Sequence, residues 1–323
     1  LGLRPAKIIL NEVTSANPSS INGFIEVAGH RAGVVIANAN GIVVDNGGFI
    51  NTSHAVFTTG KPVVNGGLDT YQVNGGSVII TGQGLDAKTT DRLDIVSADA
   101  AVTAGVWGGD EINVVTGHNS VDAQNLQTQK LNNSTAGMDN TIDIASVGGM
   151  YAGKITLVAN DTDAGIKNFG NINASGSGIT LASDGKLAQH GRLAAQKGSV
   201  SITAGGDIYN SQQILAGTDL QLQTKGDLLS TGTIGSETGI INLTAARDFT
   251  QTGSVRLEKG ALNINVGSDL YQYGNISVQQ GGTLLAVQGN SGQYGTISSE
   301  GDFTFDTKGT LRQHGQIAVT DGN

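Results

Sequence analysis

The chain has 323 residues, a net charge of −9 and no cysteine, so disulfide staples and thiolate metal sites are excluded. Its 18 basic residues form no cluster interleaved with aromatics, and nothing in the sequence favours nucleic-acid binding. Glycine makes up 49 residues without a collagen-like period, which indicates many tight turns. No apolar run is long enough to predict a membrane-spanning helix.

The first hundred residues read as short strands separated by turns. The apolar runs are three to eight residues long and bounded by Asn-Gly and Gly-Gly pairs, which favour turns. The predicted strands are 6–13, 23–28, 34–37, 42–44, 49–52, 55–59, 77–81, 93–96 and 112–115. One of the turns is Asn40-Gly41, where both residues tolerate a left-handed backbone.

Residues 117–140 interrupt this pattern with a long polar stretch, GHNSVDAQNLQTQKLNNSTAGMDN. It is too long and too polar for an ordinary corner between strands. We expect an excursion from the wall of the fold, or a mobile loop.

From about residue 166 a short unit is repeated eight times, at intervals of 20 or 21 residues. The repeat is marked by an aliphatic column at Ile172, Leu193, Ile214, Ile234, Val255, Ile276, Ile297 and Ile317. A glycine stands two residues before each member, with one exception, and an Asn or Gln stands four residues before, again with one exception. A second apolar column runs through Leu181, Ile202, Leu222, Leu243, Ile264, Leu285 and Phe305.

A period near 20 with alternating apolar and polar residues predicts an all-β solenoid, a right-handed parallel β-helix with 20–21 residues per coil. So short a unit must bury its apolar face against its neighbours. We expect both apolar columns to point inward, the amides to stack as a ladder, and the glycines to supply a left-handed backbone or close approach at a corner. A leucine-rich repeat has a similar period, but its L-x-x-L-x-L-x-x-N pattern is absent.

The sequence shows no linker, so two continuous regions are expected: an irregular β-helix over 1–160 and regular coils over 161–323. The chain begins without Met and ends within a repeat. We therefore expect it to be a fragment of a longer protein.

One carboxylate column recurs in four consecutive coils, at Asp207, Asp227, Asp248 and Asp269. Such a column could bind Ca²⁺, which prefers oxygen ligands, or each aspartate could cap its own turn through Asx-type bonds to its own backbone. The calcium-binding G-G-x-G-x-D repeat is absent, so turn capping is favoured and neither metal nor cofactor is expected.

Nothing in the chain forms a recognisable catalytic motif. H-E-x-x-H, G-x-S-x-G and P-loop patterns are all absent. His190 and His314 occupy the same position of the repeat in coils that are six steps apart, which is too far for them to share one site. A non-enzymatic protein is therefore predicted, with a polysaccharide-active enzyme of the pectin lyase type as the alternative, because β-helices also host such enzymes.

Several motifs of the first region occur in a characteristic order. They are Asn22-Gly23-Phe24-Ile25-Glu26-Val27, Asn38-Ala39-Asn40-Gly41-Ile42, Gly48-Phe49-Ile50-Asn51, Val106-Trp107-Gly108 and Gly148-Gly149-Met150-Tyr151. Together they resemble the secretion domain of two-partner secretion exoproteins, the family of filamentous haemagglutinins and contact-dependent growth-inhibition exoproteins. The later units resemble the haemagglutinin repeats of the same family.

The resemblance implies a secreted protein at the cell surface of a Gram-negative bacterium. Its partner would be an outer-membrane transporter, whose periplasmic domains recognise a secretion motif at Asn38, Asn40, Gly41 and Ile42. A monomeric β-helical rod would then present an adhesive or toxin-bearing tip to a receptor on a host or neighbouring cell.

Two departures from the family pattern are visible. The usual Asn-Pro-Asn-Gly-Ile has Ala39 in place of proline. An upstream Asn-Pro-Asn-Leu motif and an amphipathic cap are missing, so we expect the secretion domain to be truncated at its N-terminus.

Overall fold

A computed structural model describes residues 6–131 and 140–322, and every regular element in these ranges is a β-strand. In this part of the chain no helix has the length and apolarity needed to cross a membrane. The chain forms two compact units, residues 1–172 and 173–323.

The described residues of the first unit form eighteen short strands. They are β1 Ile8–Val13, β2 Ser19–Ile21, β3 Phe24–Glu26, β4 Ala32–Asn38, β5 Ile42–Ile50, β6 Thr52–Thr58, β7 Lys61–Val64, β8 Leu68–Gln72, β9 Ser77–Ala87, β10 Arg92–Ser97, β11 Asp99–Val102, β12 Gly105–Gly108, β13 Glu111–Thr116, β14 Asn119–Asp122, β15 Thr128–Lys130, β16 Ile142–Ile144, β17 Gly149–Ala159 and β18 Ile166–Asn168.

Three parallel walls build this unit, and the chain winds from one wall to the next. The first wall pairs β1, β4, β6, β10, β13 and β17 in that order. The second pairs β2, β5, β9, β11, β16 and β18. The third pairs β3 with β5, β5 with β9, β9 with β12 and β12 with β17. Equivalent residues therefore stack, and Ile42, Val78, Ile142 and Ile166 are buried.

A separate four-stranded antiparallel sheet lies on the outside of the first wall. It is formed by two insertions, one contributing β7 and β8 and the other β14 and β15, in the order β15-β14-β8-β7. We call it the covering sheet. The predicted excursion at 117–140 is thus confirmed, and residues 119–130 of it carry two strands. Residues 132–139 lie outside the described part of the chain.

The covering sheet creates a second apolar core. Val35, Val56 and Val96 on the outer face of the first wall pack with Tyr71 and Val121 of the covering sheet. Strand β4 is consequently buried at every position. Strands buried on both faces read as continuous apolar runs, and the Val-Val-Ile-Ala sequence of this strand fits that pattern.

The second unit contains the remaining strands, the first of which begins at its boundary. They are β19 Asn171–Ser183, β20 Leu187–Gln189, β21 Arg192–Ala195, β22 Ser199–Ala204, β23 Ile208–Asn210, β24 Gln213–Ala216, β25 Leu220–Thr224, β26 Leu228–Ser230, β27 Thr233–Ala245, β28 Phe249–Gln251, β29 Ser254–Val266, β30 Leu270–Gln272, β31 Asn275–Gln280, β32 Thr283–Val287, β33 Ser291–Gln293, β34 Thr296–Glu300, β35 Phe303–Thr307, β36 Leu311–Gln313 and β37 Gln316–Thr320.

Both predicted apolar columns point into the interior of this unit. Ile234, Val255 and Ile276 are direct partners in adjacent parallel strands and are at most 2% exposed. Leu243, Ile264 and Leu285 repeat the arrangement on another wall. The structure adds a third inward column that the sequence analysis did not single out: Leu187, Ile208, Leu228, Phe249 and Leu270.

The amide column forms the predicted ladder in the last coils. The Nε2 groups of Gln272, Gln293 and Gln313 each donate to the Oε1 of the glutamine one coil earlier, at 3.2 Å in all three cases. Gln251, Gln272 and Gln293 are fully buried, and each Nε2 also donates to the carbonyl of the glycine two residues later. Each coil thus satisfies the buried amide of its neighbour.

The glycine column acts by close approach and not by a left-handed backbone. A Cβ added at Gly253, Gly274 or Gly295 would lie 1.9–2.0 Å from the carbonyl oxygen of the equivalent glycine one coil earlier. The left-handed glycines form a different column, which includes Gly260 and Gly281. Both units are parallel β-helices, so the predicted fold class is confirmed.

Candidate functional site

The predicted secretion motif forms a closed corner between β4 and β5, which we call the Asn38 corner (residues 38–42). The N–H of Gly41 donates to the carbonyl of Asn38 at 3.1 Å, and the N–H of Asn40 donates to Asn38 Oδ1 at 2.9 Å. Asparagine in the first position and glycine in the fourth are favoured in such turns. Gly41 has φ +111°, whereas Asn40 does not adopt the left-handed conformation that its residue type would allow.

The side chains of this corner tie it to the preceding coil. Asn38 Nδ2 donates to the carbonyl of Asn17 at 3.0 Å and to Ser19 Oγ at 2.9 Å. Asn40 Nδ2 donates to the carbonyl of Ser15 at 2.6 Å. The backbone completes the closure, because the N–H of Ser19 donates to the carbonyl of Gly41 at 3.0 Å.

Most of the motif is hidden once the corner has formed. Asn38 is 1% exposed and Ile42 is fully buried, with Val78 as its partner in the next coil. A Cβ at Gly41 would lie 3.2 Å from the carbonyl oxygen of Ser77. Only Ala39 and Asn40 remain exposed to solvent. The structure brings all four predicted motif residues together at one corner.

A buried carboxylate anchors the covering sheet, and the sequence analysis missed it. Asp94, fully buried on the first wall, accepts hydrogen bonds from His54 Nε2 at 2.7 Å, Arg92 Nε at 2.9 Å and Asn113 Nδ2 at 2.9 Å. Arg92 Nη1 also donates to the carbonyl of Gln124, next to β14, at 2.6 Å. We call His54, Arg92, Asp94 and Asn113 the Asp94 anchor.

Two opposing effects act on the Asp94 carboxyl. Burial raises its pKa, but the hydrogen bonds and charges of His54 and Arg92 outweigh burial and hold the pKa below its ordinary value. The carboxylate is therefore ionised and compensated, as a buried charge requires. The signal in the sequence was Asp94 itself, a charged residue inside the apolar run Leu93–Val96.

A second histidine–aspartate pair lies where the other insertion leaves the wall. His118 Nδ1 lies 2.6 Å from Asp161 Oδ2, and the same oxygen accepts the N–H of His118 at 3.0 Å. Asp161 is 1% exposed. Its other oxygen accepts the N–H of Thr162 at 2.7 Å. This pair fixes the first residues of the insertion to the wall.

The aspartate column of the second unit bonds from coil to coil. Oδ1 of Asp207, Asp227 and Asp248 accepts the N–H of the next aspartate at 3.0–3.1 Å. Asp269 Oδ1 continues the column to the N–H of Asn290 at 2.7 Å. The bonds thus run to the neighbouring coil, whereas we expected bonds within one turn.

Basic side chains contact the first two aspartates of this column. Arg247 Nη2 bridges Asp207 and Asp227 at 2.9 and 3.0 Å. The N–H of Asp227, together with Lys186 and Arg247, holds the pKa of Asp207 below its ordinary value. Across residues 6–131 and 140–322, no three His, Cys, Asp or Glu residues are grouped so as to hold a metal ion.

Similarity to known proteins identifies the family of this chain. Residues 4–189 match the model of the TPS secretion domain. This match covers more than half of the chain. The chain belongs to the two-partner secretion exoprotein family. It is also similar to a solved structure described as the crystal structure of filamentous hemagglutinin secretion domain, with a TM-score of 0.50 and 27% identity over 78% of this chain and 75% of that chain.

Curated relatives support the same family. The chain is 43% identical over 207 residues to the protein named Toxin CdiA of Yersinia pestis, an alignment that covers 62% of this chain and 6% of the relative. It is 37% identical over 247 residues to the 16S rRNA endonuclease CdiA of Enterobacter cloacae subsp. cloacae, covering 70% of this chain and 7% of the relative. The chain thus spans only a small part of the length of these relatives.

Proposed function

We propose that this chain is the secretion domain and β-helical stalk of a two-partner secretion exoprotein, and that it has no enzymatic activity of its own. The match of residues 4–189 to the secretion-domain model carries this proposal. The runner-up, a polysaccharide-active enzyme, is not favoured, because the aspartates of its best candidate column are engaged by backbone N–H groups and by Arg247.

The partner in this proposal is an outer-membrane transporter, whose periplasmic domains recognise the Asn38 corner. The exported rod, a monomer, stands at the surface of a Gram-negative cell and presents an adhesive or toxin-bearing tip to a receptor on a host or neighbouring cell. The name of the Yersinia pestis relative, Toxin CdiA, supports the toxin-bearing form of the tip.

The geometry of the Asn38 corner suggests when recognition occurs. In the folded coil the amide of Asn38 is buried, and both hydrogen bonds that its Nδ2 donates are made internally. Ile42 is also buried. A transporter therefore recognises these side chains before the coil closes, when the amide of Asn38 is free and Ile42 is accessible. Closure on the outside then pairs the Asn38 amide with Asn17 and Ser19 and the Asn40 amide with Ser15.

Export of the full-length exoprotein from cells that carry its transporter tests the proposal. Asn40→Ala and Gly41→Val should retain the protein in the periplasm while synthesis stays normal. The matched controls are Asn51→Ala, which removes amide bonds of the same kind to the carbonyls of Val27 and Gly29, and Gly29→Ala, another left-handed glycine. Both controls should be exported.

A second measurement separates recognition from folding. The four variants of the purified chain should be melted, and their binding to the isolated periplasmic domains measured under denaturing and native conditions. Loss of export in Asn40→Ala with a melting temperature equal to that of Asn51→Ala supports recognition. Normal export of both Asn40→Ala and Gly41→Val would contradict the proposed role of the corner.

A further inference from the structure

Several asparagines of the first unit are followed directly by glycine. The pairs are Asn22-Gly23, Asn40-Gly41, Asn46-Gly47, Asn65-Gly66 and Asn74-Gly75. Such a pair is chemically reactive, because the backbone nitrogen of the glycine can attack the side-chain amide carbon of the asparagine. Glycine favours the attack, since it has no Cβ to crowd the nitrogen and its backbone adopts many conformations. The fold places these pairs in very different surroundings.

The Asn65-Gly66 pair lies in the turn that joins β7 to β8, at one edge of the covering sheet. It is the only one of these pairs in which the glycine is exposed, and Asn65 and Gly67 are exposed as well. A Cβ added at Gly66 or Gly67 would meet no atom within 4 Å. The turn can therefore change its backbone angles without displacing neighbouring atoms.

The Asn40-Gly41 pair, in contrast, is held closed in the Asn38 corner. Gly41 is buried, and its N–H, the group that would attack, donates to the carbonyl of Asn38 at 3.1 Å. The amide that would leave, Nδ2 of Asn40, donates to the carbonyl of Ser15 at 2.6 Å. Reaction at Asn40 thus requires the corner to open first, and its rate falls with the population of the open state.

The remaining pairs are more enclosed than Asn65-Gly66. Gly47 is buried in β5, where an added Cβ would lie 2.4 Å from Val44 Cγ1. Gly23 and Gly75 are half-buried. Exposure of the glycine therefore singles out Asn65 as the most reactive asparagine of the set.

We propose that Asn65 is a site of spontaneous deamidation, which leaves an isoaspartyl linkage in the turn between β7 and β8. The nitrogen of Gly66 loses its proton and bonds to Cγ of Asn65, the Cγ–Nδ2 bond breaks, and ammonia leaves behind a cyclic imide. Water then opens the ring. Opening at Cγ restores the ordinary backbone with an aspartyl side chain, whereas opening at the backbone carbonyl routes the chain through Cβ and Cγ. Water is the only co-reactant, and the product gains one negative charge.

Peptide mapping by mass spectrometry tests the proposal on the purified chain, kept folded in warm, mildly alkaline buffer. An isoaspartate methyltransferase with labelled S-adenosylmethionine counts the isoaspartyl groups independently. We expect Asn65 to react at least about tenfold faster than Asn40, a ratio equivalent to about 1.4 kcal/mol. Asn65→Gln should remove most of the isoaspartyl signal at an unchanged melting temperature, because the longer side chain cannot form the same ring.

Denaturing urea supplies the matched control. In the unfolded chain Asn40 and Asn65 are both flexible, so they should react at similar rates. Equal rates at the two asparagines in the folded chain would overturn the proposal, and so would a folded Asn65 that reacts no faster than Asn46. An undiminished isoaspartyl signal in Asn65→Gln would also overturn it, since the reaction would then occur at another pair.

Discussion

The two units reach the same fold by different means. The first interrupts its coils with two insertions, which join in the covering sheet and bury one wall on both faces. Its buried charges are concentrated in a few clusters, such as the Asp94 anchor. The described residues of the second unit have no such cover, and its polar bonds run from coil to coil, with aspartate rungs from Asp207 to Asp269 and glutamine rungs from Gln251 to Gln313.

This difference predicts how each unit responds to change. In the first unit, residues from sequence positions as far apart as His54 and Asn113 depend on one carboxylate. In the second unit, each coil depends only on its neighbours, as in other repeat proteins. Loss of a single polar group should therefore be more damaging in the first unit, whereas an interior charge should be damaging in both.

The largest effect is expected for Val255→Asp in the second unit. Val255 is 1% exposed between Ile234 and Ile276, so the new carboxylate would be buried without a partner. We expect a loss of at least about 4 kcal/mol in the free energy of unfolding, measured by urea denaturation. Leu229→Asp, on the outer face, is the control and should cost about 1 kcal/mol or less. Equal losses would contradict the interior assignment.

The Asp94 anchor comes next. Asp94→Asn removes the buried charge that compensates Arg92 and accepts the hydrogen bond of His54, and we expect a loss of about 3 kcal/mol. Asp91→Asn is the control, because the ion pair of Asp91 with Arg31 is exposed and should contribute less than about 1 kcal/mol. If both variants unfold at the same urea concentration, the anchor does not hold the covering sheet in place.

The pH dependence of the same variant sharpens this test. The folded-state pKa of Asp94 lies below the unfolded value of about 3.9, so its stabilisation is complete above about pH 4. It is lost as the pH falls through the folded-state pKa. The difference in stability between the parent chain and Asp94→Asn should therefore be constant above about pH 5 and shrink below about pH 4.

A smaller effect is expected for one rung of the glutamine ladder. Gln272→Ala leaves Gln251 Oε1 and Gln293 Nε2 without one partner each in the buried ladder, which should cost about 1–2 kcal/mol. Gln279→Ala, exposed in the same coil, should cost almost nothing. If Gln272→Ala proves as damaging as Asp94→Asn, the proposed contrast between the units is wrong.

No effect is expected from calcium. In the aspartate column Oδ1 accepts a backbone N–H, and Arg247 already occupies both Asp207 and Asp227. Millimolar Ca²⁺ should therefore leave the melting temperature unchanged. A rise of several degrees that Asp227→Asn removes would instead show that the column binds the ion.

The regular part of the molecule was the most predictable from sequence. Stacked coils place equivalent residues in columns. The regular spacing of the apolar columns that contain Val255 and Ile264 therefore identified both the strands and their inward faces. The glutamine ladder followed for the same reason. The third column was harder to see, because it reads Leu, Ile, Leu, Phe and Leu before Ser291 takes the inward position.

The covering sheet and the Asp94 anchor could not be predicted from a periodic pattern in the sequence. Strands β7 and β14 come from insertions far apart in the chain, and only the fold brings them together. One signal was available, since Val34–Ala37 is apolar at every position and thus typical of a strand buried on both faces. The partners of Asp94 depend on the register between β6, β10 and β13, which the local sequence does not determine.

The glutamine ladder makes the coils that carry it interchangeable with one another. Gln251, Gln272 and Gln293 are spaced by 21 residues and offer the same donor and acceptor to either neighbour. Removal of residues 252–272 would join Gln251 to Tyr273 and restore every column. Unequal recombination between such repeats can therefore lengthen or shorten the second unit by whole coils, whereas a gain or loss of one residue within a strand would turn the interior side chains that follow it in that strand outward.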